Sequence, residues 1–364
     1  MEKAPQCEQL KQEYQDLKTL KGEFDLAYER AIKTGDLTRA KELKTELEQR
    51  MAVLKNKLWP LEGLPQQELS EQYQSQKEIM KNAGLLERLS NGELGIKGID
   101  NKEYPIPTPE AIAELLRQNP EKYQAKIEQG FNQILMVPLA MPLDRQIEIL
   151  KQNILKHHQQ GKLLATKENP TGIDKPLDLD TTNPVWVWDN WPGSDVSKKT
   201  VYFPKSFDKN NHQGKTKQEL LNQQNNNQSP LAGWQVLLLE NNPNIPAEGQ
   251  GKTIGGRPQL EANKTPDEYL KLLQENLNYA NEQGLTIEAW LTLFISRLEQ
   301  TNEVTDDWQD KGKVCYLIGS FNSSSAGLAD GRWGRSDRQA GLRGASPGNR
   351  SDNYGLRSAV GVET

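Results

Sequence analysis

The apolar residues of this chain change period along its length, and that change restricts it to a fold with both helices and strands. From Leu10 to Leu58 they recur at steps of three and four, through Tyr14, Leu17, Phe24 and Ala27 and then Ala40, Leu43, Leu47, Met51 and Leu54. That spacing draws one stripe along a helix. From Ser320 onward no helical step survives, and small apolar residues alternate with polar ones at the two-residue step of a strand. Arginine usage changes at the same place. The last 35 residues hold six Arg and no Lys, whereas the preceding 329 hold eight Arg.

Between these ends the punctuation divides the chain into four stretches. Residues 1–62 read as an antiparallel helical hairpin of coiled-coil type: Lys33-Thr34-Gly35 stops one helix, Asp36 caps the next, and Pro60 ends it. Each helix carries one apolar stripe that only a partner can bury, so self-association through the hairpin is expected. Residues 63–105 are Gln-rich and then Gly-rich, a helix followed by a linker. Residues 106–307 predict a mixed α/β region. Thr108-Pro109-Glu110 and Asn119-Pro120-Glu121 start short helices, 134–138 is a buried strand, and 143–162 is an amphipathic helix. Strands are expected at 185–188, 200–203 and 234–239, with an exposed Gln/Asn loop at 223–230. Thr265-Pro266-Asp267-Glu268 is a capping box, and another helix follows Thr286. Residues 308–364 are the Arg/Gly/Ser-rich segment, completed by strands from the central region.

Composition excludes several classes. Of 364 residues only 35% are apolar and the mean hydropathy is -0.81, but eight Trp, ten Tyr and six Phe suffice to nucleate cores. No run approaches ~18 apolar residues, which speaks against a membrane helix. No apolar h-region follows the first charges, so a cytoplasmic location is the default expectation. The net charge of -5 argues against nucleic-acid binding by the protein as a whole, since a phosphate backbone needs an excess of cations. Cys7 and Cys315 are too far apart for a disulfide framework, and His157, His158 and His212 are too few for a metal centre. Two GlyLysThr tripeptides, 214–216 and 251–253, lack the upstream glycine of a phosphate loop: Lys209 and Pro246 stand there. No cofactor is expected. Trp188-Asp189-Asn190-Trp191 and Asp306-Asp307-Trp308 set acids beside indoles and read as turn caps rather than as a catalytic pair.

The C-terminal segment carries a resemblance. Arg343-Gly344-Ala345-Ser346, a short polar loop, and Gly355-Leu356-Arg357 are similar to the closing strands of the C-type-lectin-like fold, in the branch that includes the formylglycine-generating enzymes. That branch carries RGGSW and GFR at these strands; here Ala345 replaces the second Gly and Pro347 the Trp. Its enzymes use paired cysteines, and Cys315 stands alone in this segment, so the resemblance implies the fold without the oxidase. The same branch supplies the variable proteins of diversity-generating retroelements, whose adenine-directed mutagenesis leaves Asn, Asp, Ser, Gly, Tyr and Arg at varied positions. Residues 332–354 are rich in those types. The whole chain also resembles uncharacterised proteins of uncultivated, small-genome bacteria, through stretches such as 243–257.

The expected fold is therefore α+β: an N-terminal antiparallel helical hairpin, a mixed α/β central region and a C-terminal C-type-lectin-like β module. The expected role is non-catalytic ligand binding, with a protein as the partner. The expected recognition face comprises Arg332, Trp333, Arg335, Ser336, Asp337, Asn349, Arg350, Asp352, Asn353 and Tyr354, with Trp333 and Tyr354 as exposed aromatic anchors among adaptable polar residues. Ala340, Leu342, Ala345, Leu356 and Ala359 or Val360 are assigned to the core. The alternatives are an enzyme using the central Trp/Asp/Gly-rich loops, with phosphate at Gly249 to Thr253, and a nucleic-acid contact through the Arg-rich tail.

Overall fold

The computed structural model describes residues 3–58, 61, 63–166, 175–308 and 312–363, and shows a mixed α+β protein made of two compact units, 1–68 and 69–364. Pro60 and the side chains of Cys7, Leu10 and Leu58 lie outside the described set. In the first unit two helices, Lys3–Thr34 and Thr38–Leu58, pack on each other. Gly35 turns between them at φ 75°, and Asp36 Oδ1 accepts the Thr38 amide at 3.0 Å. Leu20, Ala31, Ala40, Leu43 and Leu54 are buried. Tyr14, Tyr28 and Met51 stay exposed, because two helices facing one another cover only a narrow seam.

In the second unit a small sheet of Glu87–Arg88, Leu94–Lys97 and Glu103–Pro105 stands where a linker was expected, and Thr253–Ile254 pairs with Arg257–Pro258. Two larger sheets make up most of the unit. One orders its strands as Glu282–Gly284, Ser358–Val362, Gln235–Glu240 and Phe131–Val137, all antiparallel. The other runs Val185–Val187, Gln339–Ala345, Gly327–Gly334, Val314–Asn322, Thr200–Tyr202 and Lys215–Thr216. Two short strands join the second sheet in parallel: Asp307–Trp308 on Gly327–Gly334, and Tyr354–Leu356 on Val314–Asn322. Three C-terminal strands pair with central ones: Gln339–Ala345 with Val185–Val187, Val314–Asn322 with Thr200–Tyr202, and Ser358–Val362 with Glu282–Gly284 and Gln235–Glu240. The 15-residue helix Ile287–Thr301, capped by Thr286, is apolar nearly all round and buried accordingly.

The Gln-rich stretch has a defined task. Phe131–Val137 is an edge strand, and the helix Gln66–Asn82 lies along it. Gln72 and Gln76, one turn apart, offer their amides to that edge. Gln72 Oε1 accepts the Ile134 amide at 2.8 Å and its Nε2 donates to Asn132 O at 2.9 Å; Gln76 Oε1 accepts the Met136 amide at 2.9 Å. The two side chains satisfy backbone groups that a further strand would otherwise claim. The expected strands and capped helices of the central region fall within a few residues of their expected positions. Two exceptions stand out: Asn119 precedes Pro120–Glu128 without a capping side-chain bond, and the expected loop 223–230 is helical in its first part, because the helix Lys217–Asn226, started by the Thr216 cap, runs on through it.

With so few apolar residues, charges are drawn inside in closed sets. Arg257, delivered by the Gly255-Gly256 turn, grips Glu282 with Nε and Nη2 at 2.7 and 2.8 Å and Glu240 with Nη1 at 2.7 Å. Lys126 Nζ and Ser358 Oγ donate to the same Glu282 at 2.7 Å each. The group therefore stitches three of the four strands of one sheet together. A second set centres on Lys217, fully buried at the start of the helix Lys217–Asn226, with Asp195 at 2.7 Å and Glu288 at 2.9 Å. Burial alone would lower the Lys217 pKa, but Glu288 and Asp195 outweigh it and the net direction is upward.

Lys217→Met strands two buried carboxylates, so it is expected to cost about 3–5 kcal/mol of unfolding free energy. Glu46→Ala, which breaks an exposed pair with Arg50, should cost less than about 1 kcal/mol. Urea titration followed by circular dichroism compares them, and a Lys217→Met loss as small as that of Glu46→Ala would show that the buried set is not a stabilising centre.

Candidate functional site

The strand register assembles one face of the larger sheet from separate parts of the chain. Residues directly opposite one another in a ladder share a face. Tyr316 pairs with Asp330, and Asp330 with Arg343; Arg332 pairs with Gly341, and Gly341 with Trp186. Two guanidinium groups, a carboxylate and two aromatic rings are thereby set side by side across four strands.

Each arginine is held flat by an indole. Arg332 lies over the Trp308 ring at 4.0 Å, and Arg343 over Trp186 at 5.3 Å. Asp337, from the turn that joins the two strands, accepts from both: Arg343 Nη2 at 2.6 Å and Arg332 Nη2 at 3.3 Å. Gly341 lies between them, where an added Cβ would come within 3.3 Å of Arg343 Nε. Arg332 is 5% exposed, while Trp186 remains 37% exposed at the rim. Beside the arginines, the rings of Tyr354 and Tyr316 meet at a tilt of 33° with centroids 5.0 Å apart, and Tyr316 Oη donates to the Asn349 carbonyl at 2.8 Å.

Asp330 sits beneath this layer, 2% exposed, and its Oδ1 has no hydrogen-bond partner. Burial pushes its carboxyl up to about 7, with Arg332 and Arg343 pulling the other way. Burial and then the neighbouring Arg343 lower the pKa of Arg332. The face therefore combines two cations, one fixed anion and one carboxyl that titrates near neutrality.

Of the residues expected here, Arg332, Asp337 and Tyr354 do meet. Trp333 requires a correction: it is fully buried and faces the opposite way. Neighbours in a strand point to opposite faces, so Arg332 and Trp333 cannot both stand on the outer one. On the inner face Gly331 lets the strand close onto Trp290; an added Cβ there would lie 2.3 Å from the indole. Arg335 does not reach the face either, because Asp307 clamps it with two contacts of 2.8 Å. Ser336 is exposed in the turn. Asn349, Arg350, Asp352 and Asn353 lie in the exposed loop 346–353, and Arg350 pairs with Glu268. Ala340, Leu342, Ala345, Leu356, Ala359 and Val360 are all buried.

Asp330, Arg343, Trp186, Trp308 and Tyr316 belong to the face and were not expected there. Asp330 and Arg332 had a usable signal, since they are two apart in one strand. The two indoles had none, because only the pairing with distant strands brings them in.

The remaining motifs are structural. The acids beside Trp308 are anchors: Asp306 binds Arg357 Nε at 2.9 Å and Trp290 Nε1 at 2.9 Å, while Asp307 holds Arg335. Thr216 of the first GlyLysThr caps a helix in a reciprocal box with Glu219, so that helix start is already occupied. In the second, Glu261 accepts the amides of Gly249 and Gly251 at 3.0 and 2.7 Å, filling the turn with a carboxylate of the chain itself. Burial pushes the Cys315 thiol well up and away from the thiolate form. Among the described residues no cluster of His, Cys, Asp and Glu could hold a metal ion, and no helix is long and apolar enough to cross a membrane. Comparison with protein-family models, with curated proteins and with solved structures finds no match.

The Asp330 carboxyl gives a pH test. Its folded pKa lies above the ordinary 3.8, so the native state takes up the proton before the unfolded chain does as pH falls. Its contribution is therefore most favourable below about pH 4 and is lost as pH rises through about 7, a span worth on the order of 4 kcal/mol. Asp330→Asn should be more stable than the parent near pH ~8, with the advantage shrinking toward zero near pH ~4. Urea midpoints measured across that range check it, and a difference independent of pH would refute the assignment.

Proposed function

We propose that this chain is a non-catalytic binding protein that presents the Arg332/Arg343 face as its recognition surface, and that the C-terminal sheet is a C-type-lectin-like module resembling the target proteins of diversity-generating retroelements. The observation that carries this is the paired guanidinium groups, each laid on an indole and both tied to Asp337. Groups already fixed in this way lose little freedom when a partner docks, and Arg, Trp and Tyr are the residues that anchor interfaces. The Ser/Asn/Asp/Gly loop 346–353 beside them supplies the adaptable polar contacts of a paratope. The partner is a protein offering an acidic group to the arginine pair.

A framework suited to variation supports the same reading. Ala329 and Trp333 are locked against the core and Leu328, Asp330 and Arg332, which alternate with them, are buried too, so variation falls to the half-buried Arg343 and to the exposed loop 346–353. The two N-terminal helices are the proposed means of self-association, since Leu26, Ile32 and Val53 stand more than half exposed there.

The alternatives fit less well. Most tail arginines already have carboxylate partners: Arg335 with Asp307, Arg357 with Asp306, Arg350 with Glu268, and Arg332 and Arg343 with Asp337. That leaves few cations to track a phosphate backbone. An oxidase would need a reactive thiolate, which the buried Cys315 does not offer.

Sequencing this locus in many sibling cells tests the retroelement reading. Changes should concentrate between Arg332 and Tyr354, at adenine positions of a nearby near-identical repeat, with Trp333 unchanged. A uniform spread of changes, or variation at Trp333 equal to that at Arg343, would sink it. For the face itself, Arg343→Ala should weaken capture of a protein partner by about 2 kcal/mol while shifting stability by less than about 1 kcal/mol. Trp333→Ala should instead cost about 3–5 kcal/mol of stability.

A further inference from the structure

A second cavity, of about 260 Å3, lies away from the recognition face, between the four-stranded sheet and the helix Ile287–Thr301 and beside the loop 241–246. One helix face opens onto it: Leu293, Ser296 and Arg297, and Gln300 and Thr301 follow the three-and-four step along the helix. Leu135, Leu239, Leu260 and Leu356 form apolar wall opposite and around them.

Three potential donors in this wall are left over. Ser296 is 3% exposed and Thr305 2% exposed, and neither hydroxyl has a hydrogen-bond partner in the protein. Arg297 Nε is likewise buried and unpartnered. All three can donate. Buried donors without acceptors are rare, and leaving one unmade is expensive, so three of them around one cavity call for an acceptor inside it.

The charge balance selects the kind of acceptor. Each charged side chain in the wall is already answered by a partner of the chain itself: Arg297 by Glu303, Arg357 by Asp306, and Glu240 by Arg257. A carboxylate or phosphate would bring an uncompensated negative charge among side chains whose charges are already balanced, which costs more than the hydrogen bonds return. A neutral carbonyl brings none.

We propose that this cavity binds a small neutral molecule that combines an amide or ester carbonyl with a short hydrocarbon portion. The carbonyl accepts from Ser296, Thr305 and Arg297 Nε, and the hydrocarbon lies on the leucine wall. The volume is just below the ~300–1,000 Å3 of sites for drug-sized ligands, which limits the occupant to a small metabolite.

Hexanamide and its charged counterpart hexanoate are the probes. The full chain, labelled at leucine methyl groups, is titrated with each and followed by NMR. Hexanamide should saturate with a dissociation constant on the order of 1 mM and shift the methyl signals of Leu293 and Leu356, with hexanoate at least about tenfold weaker. The Ser296→Ala/Thr305→Val variant should bind hexanamide about tenfold more weakly, with the Leu methyl spectrum reporting whether it remains folded. The comparison of the two probes on the parent protein needs no variant. Absence of saturable shifts up to about 20 mM hexanamide would mean that water alone answers the donors, and would overturn the proposal. Hexanoate binding as tightly as hexanamide, or a folded variant that binds as well as the parent, would overturn it equally.

Discussion

Buried charge pairing is the constraint on which the second unit depends. A chain with 35% apolar residues cannot fill the space between two sheets and their helices with hydrocarbon alone, so long polar side chains are taken inside and must arrive with their partners. Arg257 with Glu282, Glu240 and Lys126 closes one sheet; Lys217 with Asp195 and Glu288 fixes a helix start to the helix Ile287–Thr301. Such sets add little net stability over a hydrocarbon replacement, but they punish any wrong arrangement heavily. They select one arrangement of loops around a modest core.

The same logic extends to the edge of the face that carries Arg332 and Arg343. Asp306 and Asp307 are adjacent in sequence, yet one binds Arg357 on the closing strand and the other Arg335 in the turn. Trp308, next in the chain, then lies under Arg332. Three consecutive residues thus connect the inner anchoring of the sheet to its outer surface. Asp330 Oδ1 is left without a hydrogen bond, as are Nε of Arg332 and of Arg343, and burial raises the proton affinity of the Asp330 carboxyl.

Strand period explains both what could be read about the face and what was misread. Alternation correctly sorted Ala340, Leu342 and Leu356 into the core, since a strand with one covered face repeats every second residue. The same rule applied to Arg332-Trp333 would have removed Trp333 from the outer face, where its size and aromatic character had suggested an anchor. The glutamines of the helix Gln66–Asn82 show the opposite limit. A helix was expected there but without a task, whereas Gln72 and Gln76 act as hydrogen-bonding partners of an edge strand that lies some 60 residues further along the chain.

By itself the sequence determined the local elements: capped helices after Thr108, Thr265 and Thr286, the two N-terminal helices about Gly35, and the strands rich in β-branched and aromatic residues. These follow from contacts within a turn or two of chain, where spacing and capping chemistry are sufficient. The tertiary structure alone decided which strands became neighbours, and hence that Trp186 and Trp308 would lie beneath arginines and that Asp330 would be enclosed between them. Ladder register and the partnering of buried charges are long-range choices, set by which arrangement leaves the fewest polar groups unpaired, and no local pattern encodes that sum.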